Sequence, residues 1–198
     1  MIPVTLQPEP ADFDIKVRQK GLAWLLHKGI ALNSPPPKAS ELPNYWRHSN
    51  KQLWDAYKGE CAYLAIYFEW ATGASSTDHF VAKSKKSGDA YEWSNYRLSC
   101  LGANRNKNKF DDVLDPIGLA HDTFVLNLAT GNIKPNPVLG TSKKAAARKT
   151  IARLKLNSAE HKKMRARHYS EYLKHQCPDI LKFYSPFVWY EADRQGMF

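Results

Sequence analysis

The chain has 198 residues, 43% of them hydrophobic and 12% aromatic, a composition that supports a packed core and excludes a disordered chain. Lysine and arginine exceed aspartate and glutamate by 29 to 19, which favours an anionic partner, with nucleic acid ahead of a membrane surface. Without a signal peptide, a membrane-length apolar run or a cysteine framework, the chain is expected to be cytoplasmic and to have no membrane partner.

The first third of the chain predicts two helical segments joined by a proline-rich connector. A helix is expected over residues 14–30, ending near Gly29, with four apolar residues on one face: Val17, Leu22, Leu25 and Leu26. The prolines of residues 33–43 indicate an extended connector. Residues 44–69 predict a further helix, a turn at Lys58-Gly59 and an apolar segment.

The rest of the chain predicts short strands followed by helices. The segments ASSTDHFVAKSK and YEWSNYRLSCLGANRNKNKF fit a strand, a loop, a short strand and a helix, and TFVLNLATGNIKPNP predicts a hairpin. From Ser142 to Lys174 the pattern is helical, with eleven basic residues against two acidic ones. This region is either a solvated face or an arm that follows a phosphate backbone. Pro178 and Pro186 divide an aromatic tail that we expect to fold back on the body.

Four polar residues in the middle of the chain carry a family resemblance. Asp78 precedes His79 directly, Asn95 follows His79 by 16 residues, and Asn104 follows nine residues later. Together with the motifs DHF-x-x-KSK, YEWSNYRL and C-x-x-x-N-x-x-K, this order resembles the ββα-metal core of HNH endonucleases. The resemblance covers residues 58 to 110, about a quarter of the chain.

The resemblance implies an α+β fold, with a ββα-metal (HNH) core enclosed by N-terminal and C-terminal helices. The expected segments are an N-terminal helical segment with its connector (1–57), the HNH core (58–112), and a hairpin with a basic helical region (113–198), all within one compact unit. The implied function is a metal-dependent endonuclease that hydrolyses DNA backbone bonds. One such site cuts one strand at a time, so nicking is expected.

The chemistry implied for these residues is phosphodiester hydrolysis. His79 is the expected general base, because histidine titrates near neutrality. Asp78 and Asn104 are expected to hold one Mg²⁺ or Mn²⁺ through oxygen ligands. Asn95 is expected to support the loop and orient His79. Taken singly, His79 also fits a hydrogen-bonded structural histidine, and Asn104 fits a residue near a helix start.

Basic residues around the core and in the C-terminal region are candidates for contact with double-stranded DNA. Those near the core are Lys83, Lys85, Lys86, Arg105 and Lys107, and those in the basic helical region are Lys149, Arg153 and Lys163. Each also fits a solvated surface position.

The zinc site that frames many HNH cores is incomplete here. The corresponding positions are Cys61 with Leu64 and Cys100 with Ala103, so two of the four ligands are apolar. We therefore expect no structural zinc, and a small hydrophobic cluster with both cysteines buried.

The layout around the core resembles small HNH nucleases that accompany bacterial anti-phage defence systems of the Septu, retron or Zorya type. That resemblance implies a protein partner, such as an ATPase or sensor complex, that restrains the nuclease. The alternatives are a non-catalytic nucleic-acid-binding subunit on an HNH scaffold, and a structural adaptor that docks through the aromatic C-terminus.

Overall fold

The computed structural model describes all residues, 1–198, as an α+β protein with seven α-helices and two small antiparallel sheets. The chain groups into two compact units. The cleft unit comprises Leu6–Gly59 and Glu69–Asp111, and the helical unit comprises Met1–Thr5, Glu60–Phe68 and Asp112–Phe198. The predicted core segment is shared between the units, because its first residues after the Lys58-Gly59 turn belong to the helical unit.

The first predicted helix of the cleft unit is confirmed. A π-helical turn, Asp14–Arg18, continues into α1, Gln19–His27. Val17 and Leu25 are fully buried, but Leu26 is 82% exposed. The prediction for Leu26 is wrong, since it is rotated by about 100° from Leu25 around the helix.

A second helix and an aromatic cluster build the rest of the cleft-unit core. The 3₁₀ turn Tyr45–Ser49 leads into α2, Asn50–Ala56, which packs against the first strand. Phe13 lies edge-on to Trp93 and Tyr96, with ring centroids 5.4 and 5.6 Å away. All three rings are buried, so they fix the start of the first helix beside the sheet.

Two antiparallel strands and a helix form the centre of the cleft unit. The strands are β1, Ser75–His79, and β2, Tyr96–Cys100, paired so that Asp78 lies opposite Arg97. The helix α3, Leu101–Lys107, follows β2 directly and packs on both strands. The predicted strand, loop, strand and helix are confirmed as secondary structure.

The helical unit contains a second hairpin and four helices. The predicted hairpin and helical region are confirmed, and a proline begins each of the last two helices, where it is well tolerated. The elements are β3, Phe124–Asn127; β4, Asn132–Pro135; α4, Thr141–Arg153; α5, Ala159–His175; α6, Pro178–Tyr184; and α7, Pro186–Arg194.

The turn of this second hairpin packs closely on α5. Gly131 adopts a positive φ of 67°, and a Cβ atom added there would lie 2.0 Å from the carbonyl oxygen of Lys162. Arg165, only 1% exposed, donates from Nε to Gly131 O at 2.8 Å. Glycine is therefore required at this turn. None of the helices of either unit has the length and apolar character to cross a membrane.

The cysteines lie in different environments. Cys61 and Leu64 are buried in the helical unit, while Ala103 is buried in the cleft unit. Cys100 is only partly buried, so the prediction that both cysteines are buried is wrong for Cys100, which ends β2 at the entry to α3. None of the three cysteines forms a disulfide.

Candidate functional site

A cleft of about 790 Å³ opens in the cleft unit. Its lining comes from β1, from α3 and from the 3₁₀ turn that precedes α2. Three of the four predicted catalytic and metal-binding residues line it, namely Asp78, His79 and Asn104. The structure therefore brings together residues that the sequence separates by up to 26 positions.

The imidazole of His79 has a defined hydrogen bond. Its Nε2 lies 3.0 Å from the carbonyl oxygen of Ala90, which also accepts a hydrogen bond from the Tyr96 hydroxyl at 2.8 Å. A carbonyl oxygen only accepts, so Nε2 carries the proton and Nδ1 is the acceptor of the neutral ring. The ring is packed between Trp46 and Tyr96, with centroids 4.8 and 5.2 Å away.

The surroundings of His79 keep the imidazole neutral. Burial lowers the pKa of His79 to about 3, with the positive charges of Lys83 and Lys107 acting in the same direction and the hydrogen bond to Ala90 opposing them. At neutral pH the ring is therefore uncharged with Nδ1 unprotonated, and a pKa this low makes it a weak base. A phosphate beside it would favour the imidazolium form and raise this pKa.

Asn95 fastens the loop between the two strands. Its Nδ2 donates to the carbonyl oxygens of Val81 and Asp89 at 3.0 and 2.8 Å, and its Oδ1 accepts from the backbone N–H of Val81 at 2.8 Å. Its own carbonyl accepts from the N–H of Phe80 at 2.9 Å. Asn95 does not line the cleft, and its contacts fit a support for the loop that carries Ala90, the hydrogen-bond partner of His79.

The position of Lys107 differs from the one predicted from the sequence. The expected phosphate contact does not fit its position, because the side chain is 0% exposed and its Nζ lies 3.3 Å from Asp78 Oδ2, itself 2% exposed. Nζ also donates to His79 O at 2.8 Å. The helical spacing could have indicated this burial, because Lys107 follows the buried Ala103 by four residues and lies on the same face of α3.

Asp78 and Asn104 have the donor chemistry of a hard divalent cation. Asn104 donates from Nδ2 to Ser76 Oγ and lies 3.5 Å from Thr77 O, which directs its amide nitrogen to β1 and leaves Oδ1 as an acceptor. A carboxylate and an amide oxygen in one cleft fit Mg²⁺ or Mn²⁺, which keep several waters as ligands. No group of three or more His, Cys, Asp or Glu side chains is arranged to hold a metal ion.

The basic residues predicted near the core divide into those that line the cleft and those that form ion pairs outside it. Lys83 and Arg105 line the cleft. Lys85 forms an ion pair with Asp111, and Lys86 forms one with Asp89 at 3.2 Å. The last two lysines are therefore partly neutralised and lie outside the cleft lining.

Sequence reasoning missed two further cations in the cleft, Arg47 and Lys109. Arg47 lies 32 residues before His79 and outside the family-like region, so no local pattern connects it with the site. Lys109 lies just after the end of α3 and is not among the basic residues predicted near the core.

The cleft lining is strongly cationic. Arg47, Lys83, Arg105 and Lys109 have no carboxylate partner within ion-pair distance, and Asp78 is the only acidic residue among the lining residues. Burial lowers the pKa of Lys83, and the charge of Arg47 adds to this.

The predicted basic residues of the helical unit lie on two helices. Lys149 on α4 and Lys163 on α5 are exposed. Arg153 forms a two-bond ion pair with Asp112, at 2.9 and 3.0 Å. This pairing reduces the charge that Arg153 offers to a polyanion.

Comparison with protein-family models found no family whose model matches this chain, and comparison with curated proteins found no significant match.

Proposed function

We propose that this protein is a metal-dependent endonuclease of the HNH type that hydrolyses DNA phosphodiester bonds, one strand at a time. The observation that carries the proposal is the cleft, whose lining contains four cations without carboxylate partners together with a neutral, hydrogen-bonded imidazole. A phosphate backbone matches such a lining, because clustered lysines and arginines neutralise phosphates and release counterions.

Each residue has a defined role in the proposed reaction. Lys83 and Arg105 bind backbone phosphates in the cleft. His79 accepts the proton of the attacking water at Nδ1, while its Nε2–H stays bonded to Ala90 O. Asn95 holds the loop that positions Ala90.

Asp78 and Asn104 would hold one Mg²⁺ or Mn²⁺, and no structural zinc is proposed. A bound divalent cation supplies Lewis-acid stabilisation of the charge on the phosphate and the leaving oxygen. Lys107 keeps the Asp78 carboxylate and the His79 backbone in place from below the cleft, through contacts of 3.3 and 2.8 Å.

A second candidate function is a non-catalytic nucleic-acid-binding subunit. The observation that favours it is the ion pair between Asp78 and Lys107, because the carboxylate expected to bind metal already has a buried cation beside it. This candidate predicts DNA binding by the cleft cations without cleavage.

The layout of helices along the chain is the only support for a cellular role. We infer action in the cytoplasm, in bacterial anti-phage defence, with a protein partner such as an ATPase or sensor complex that restrains the nuclease. A restrained enzyme would bind DNA in the absence of its partner and would cut the DNA only after the partner is added.

The decisive experiment is incubation of supercoiled plasmid with the protein in Mg²⁺, Mn²⁺ or EDTA. The nuclease proposal expects metal-dependent conversion to open circles, lost in His79→Ala. His48→Ala is the matched control, because His48 is an exposed histidine of the same unit that does not line the cleft. Equal cleavage by His79→Ala would remove the proposed base.

Binding measured in parallel separates the two candidates. If the wild-type protein binds a DNA duplex in the cleft but no metal supports cleavage, the binding-subunit function is favoured. If Arg47→Ala and Arg105→Ala bind DNA like the wild type, the cleft is not the DNA site and both candidates are wrong.

A further inference from the structure

Trp46 contacts two candidate site residues although it lies outside the family-like region. Its ring is nearly perpendicular to the imidazole of His79, at 88° and with centroids 4.8 Å apart. The ammonium of Lys83 lies 4.3 Å from the centroid of the same ring. All three side chains line the cleft.

The indole is itself held in place. It is 8% exposed and packs against Tyr91, with ring centroids 6.1 Å apart. Its backbone is part of the 3₁₀ turn Tyr45–Ser49, and its carbonyl oxygen accepts a hydrogen bond from Ser49 Oγ at 2.9 Å. Trp46 is therefore a fixed wall of the cleft.

An aromatic face suits the lysine better than a carboxylate would. A carboxylate would neutralise Lys83 and compete with a phosphate for the ammonium. The ring face attracts the cation through its quadrupole and leaves the full positive charge available. Lys83 has no carboxylate partner, so the contact with Trp46 is what locates its charge.

We propose that Trp46 is a positioning residue that holds the imidazole of His79 and the ammonium of Lys83 at a fixed separation on one wall of the cleft. A phosphate bound by Lys83 then lies beside the proton acceptor. This inference rests on the proposed function, because it gives His79 and Lys83 the roles assigned there.

The test compares Trp46→Leu, which removes the ring, with Trp46→Phe, which keeps an aromatic face. Side-chain NMR of His79 reports the tautomer without any need for activity. We expect one Nε2-protonated tautomer in the wild type and in Trp46→Phe, and a mixture of tautomers in Trp46→Leu.

Cleavage and binding provide the second readout. Misplacing the base should lower kcat of Trp46→Leu by roughly tenfold to a hundredfold, and releasing Lys83 should weaken binding of a short duplex. Trp46→Phe should restore most of both. Lys83→Met should weaken binding while the His79 tautomer stays as in the wild type.

Trp70→Leu is the matched control, because Trp70 also lies beside a lysine, Lys51, at 5.6 Å, but does not line the cleft. It should change neither the His79 spectrum nor kcat. An unchanged His79 tautomer in Trp46→Leu, or the same change in Trp70→Leu, would overturn the inference.

Different measurements test the positioning role of Trp46 and the proposed nuclease function. A wild-type protein that never cleaves DNA would remove the function but leave the NMR test of positioning intact. If Trp46→Leu does not fold, the wild type decides: it must show a single His79 tautomer and magnetisation transfer between the Trp46 ring and the Lys83 side chain. An averaged imidazole, or no transfer, would overturn the inference.

Discussion

The buried pair of Asp78 and Lys107 should show strong energetic coupling, and a double-mutant cycle measures it. Both side chains are almost completely buried, at 2% and 0% exposure. Lys107→Met removes the buried cation beside this carboxylate, which should cost about 3–5 kcal/mol of unfolding free energy. Part of that cost is the hydrogen bond from Nζ to His79 O, 2.8 Å long.

The double variant Asp78→Asn, Lys107→Met should be less destabilised than the sum of the two single variants, by about 2 kcal/mol. The reason is that, once one of the two buried charges has been removed, removal of the other no longer breaks their ion pair. The hydrogen bond to His79 O stays lost, so the double variant should remain less stable than the wild type.

Urea unfolding of the four proteins in EDTA, followed by tryptophan fluorescence and far-UV circular dichroism, gives the free energies. Coincident transitions by both probes are required, because two compact units need not unfold together. The exposed pair Lys38 and Glu41, at 72% and 59% exposure, is the control, with coupling below about 0.5 kcal/mol. Additivity within about 0.5 kcal/mol at Asp78 and Lys107 would refute a buried pair.

Three further predictions concern other parts of the chain. Burial raises the pKa of Glu60 to about 7 from an ordinary 4.5, so the contribution of Glu60 to stability should fall by about 3 kcal/mol as pH rises through that window; thermal unfolding of the wild type and of Glu60→Gln at each pH should show their stability difference changing by this amount, and a constant difference would contradict the raised pKa. Gly131→Ala should lose at least about 2 kcal/mol because its Cβ would collide with Lys162 O; Gly140→Ala, which has open space for the Cβ but lies at the N-cap of α4, should lose no more than about 1 kcal/mol. Asn95→Ala should lose about 2–3 kcal/mol through its backbone contacts and speed amide exchange in residues 81–89; unchanged exchange would contradict its role.

Local patterns in the sequence predicted most of the secondary structure. The alternation around Phe124 and the Thr-Gly-Asn turn predicted the second hairpin, since turn residues and side-chain period are local properties. The residue patterns of ASSTDHFVAKSK and YEWSNYRLSCLGANRNKNKF predicted the strands and helix of the cleft unit. The exposure of Leu26 was missed, because apolar spacing alone does not show how wide a face the core covers.

The composition of the cleft wall was not predictable in this way. Trp46 and Arg47 reach the cleft through tertiary packing of a segment that no motif connects to His79. The burial of Lys107 was also missed, because a lysine in a basic sequence is normally a surface residue. Its pairing with Asp78 depends on a contact across 29 residues.

Ion pairs with carboxylates determine which of the many positive charges remain available to an anionic binding partner. The net charge of +10 treats all basic residues alike, although Lys85 and Arg153 are held by Asp111 and Asp112. The cations of the cleft lack such partners, so their field acts on whatever enters it, while the one acidic residue of the lining, Asp78, is paired with the buried Lys107. A surface patch of the same net charge would attract polyanions without orienting them. Under the proposed function, the unpaired cations of the cleft would attract a phosphate, and the fixed cleft wall would present it to the neutral imidazole of His79.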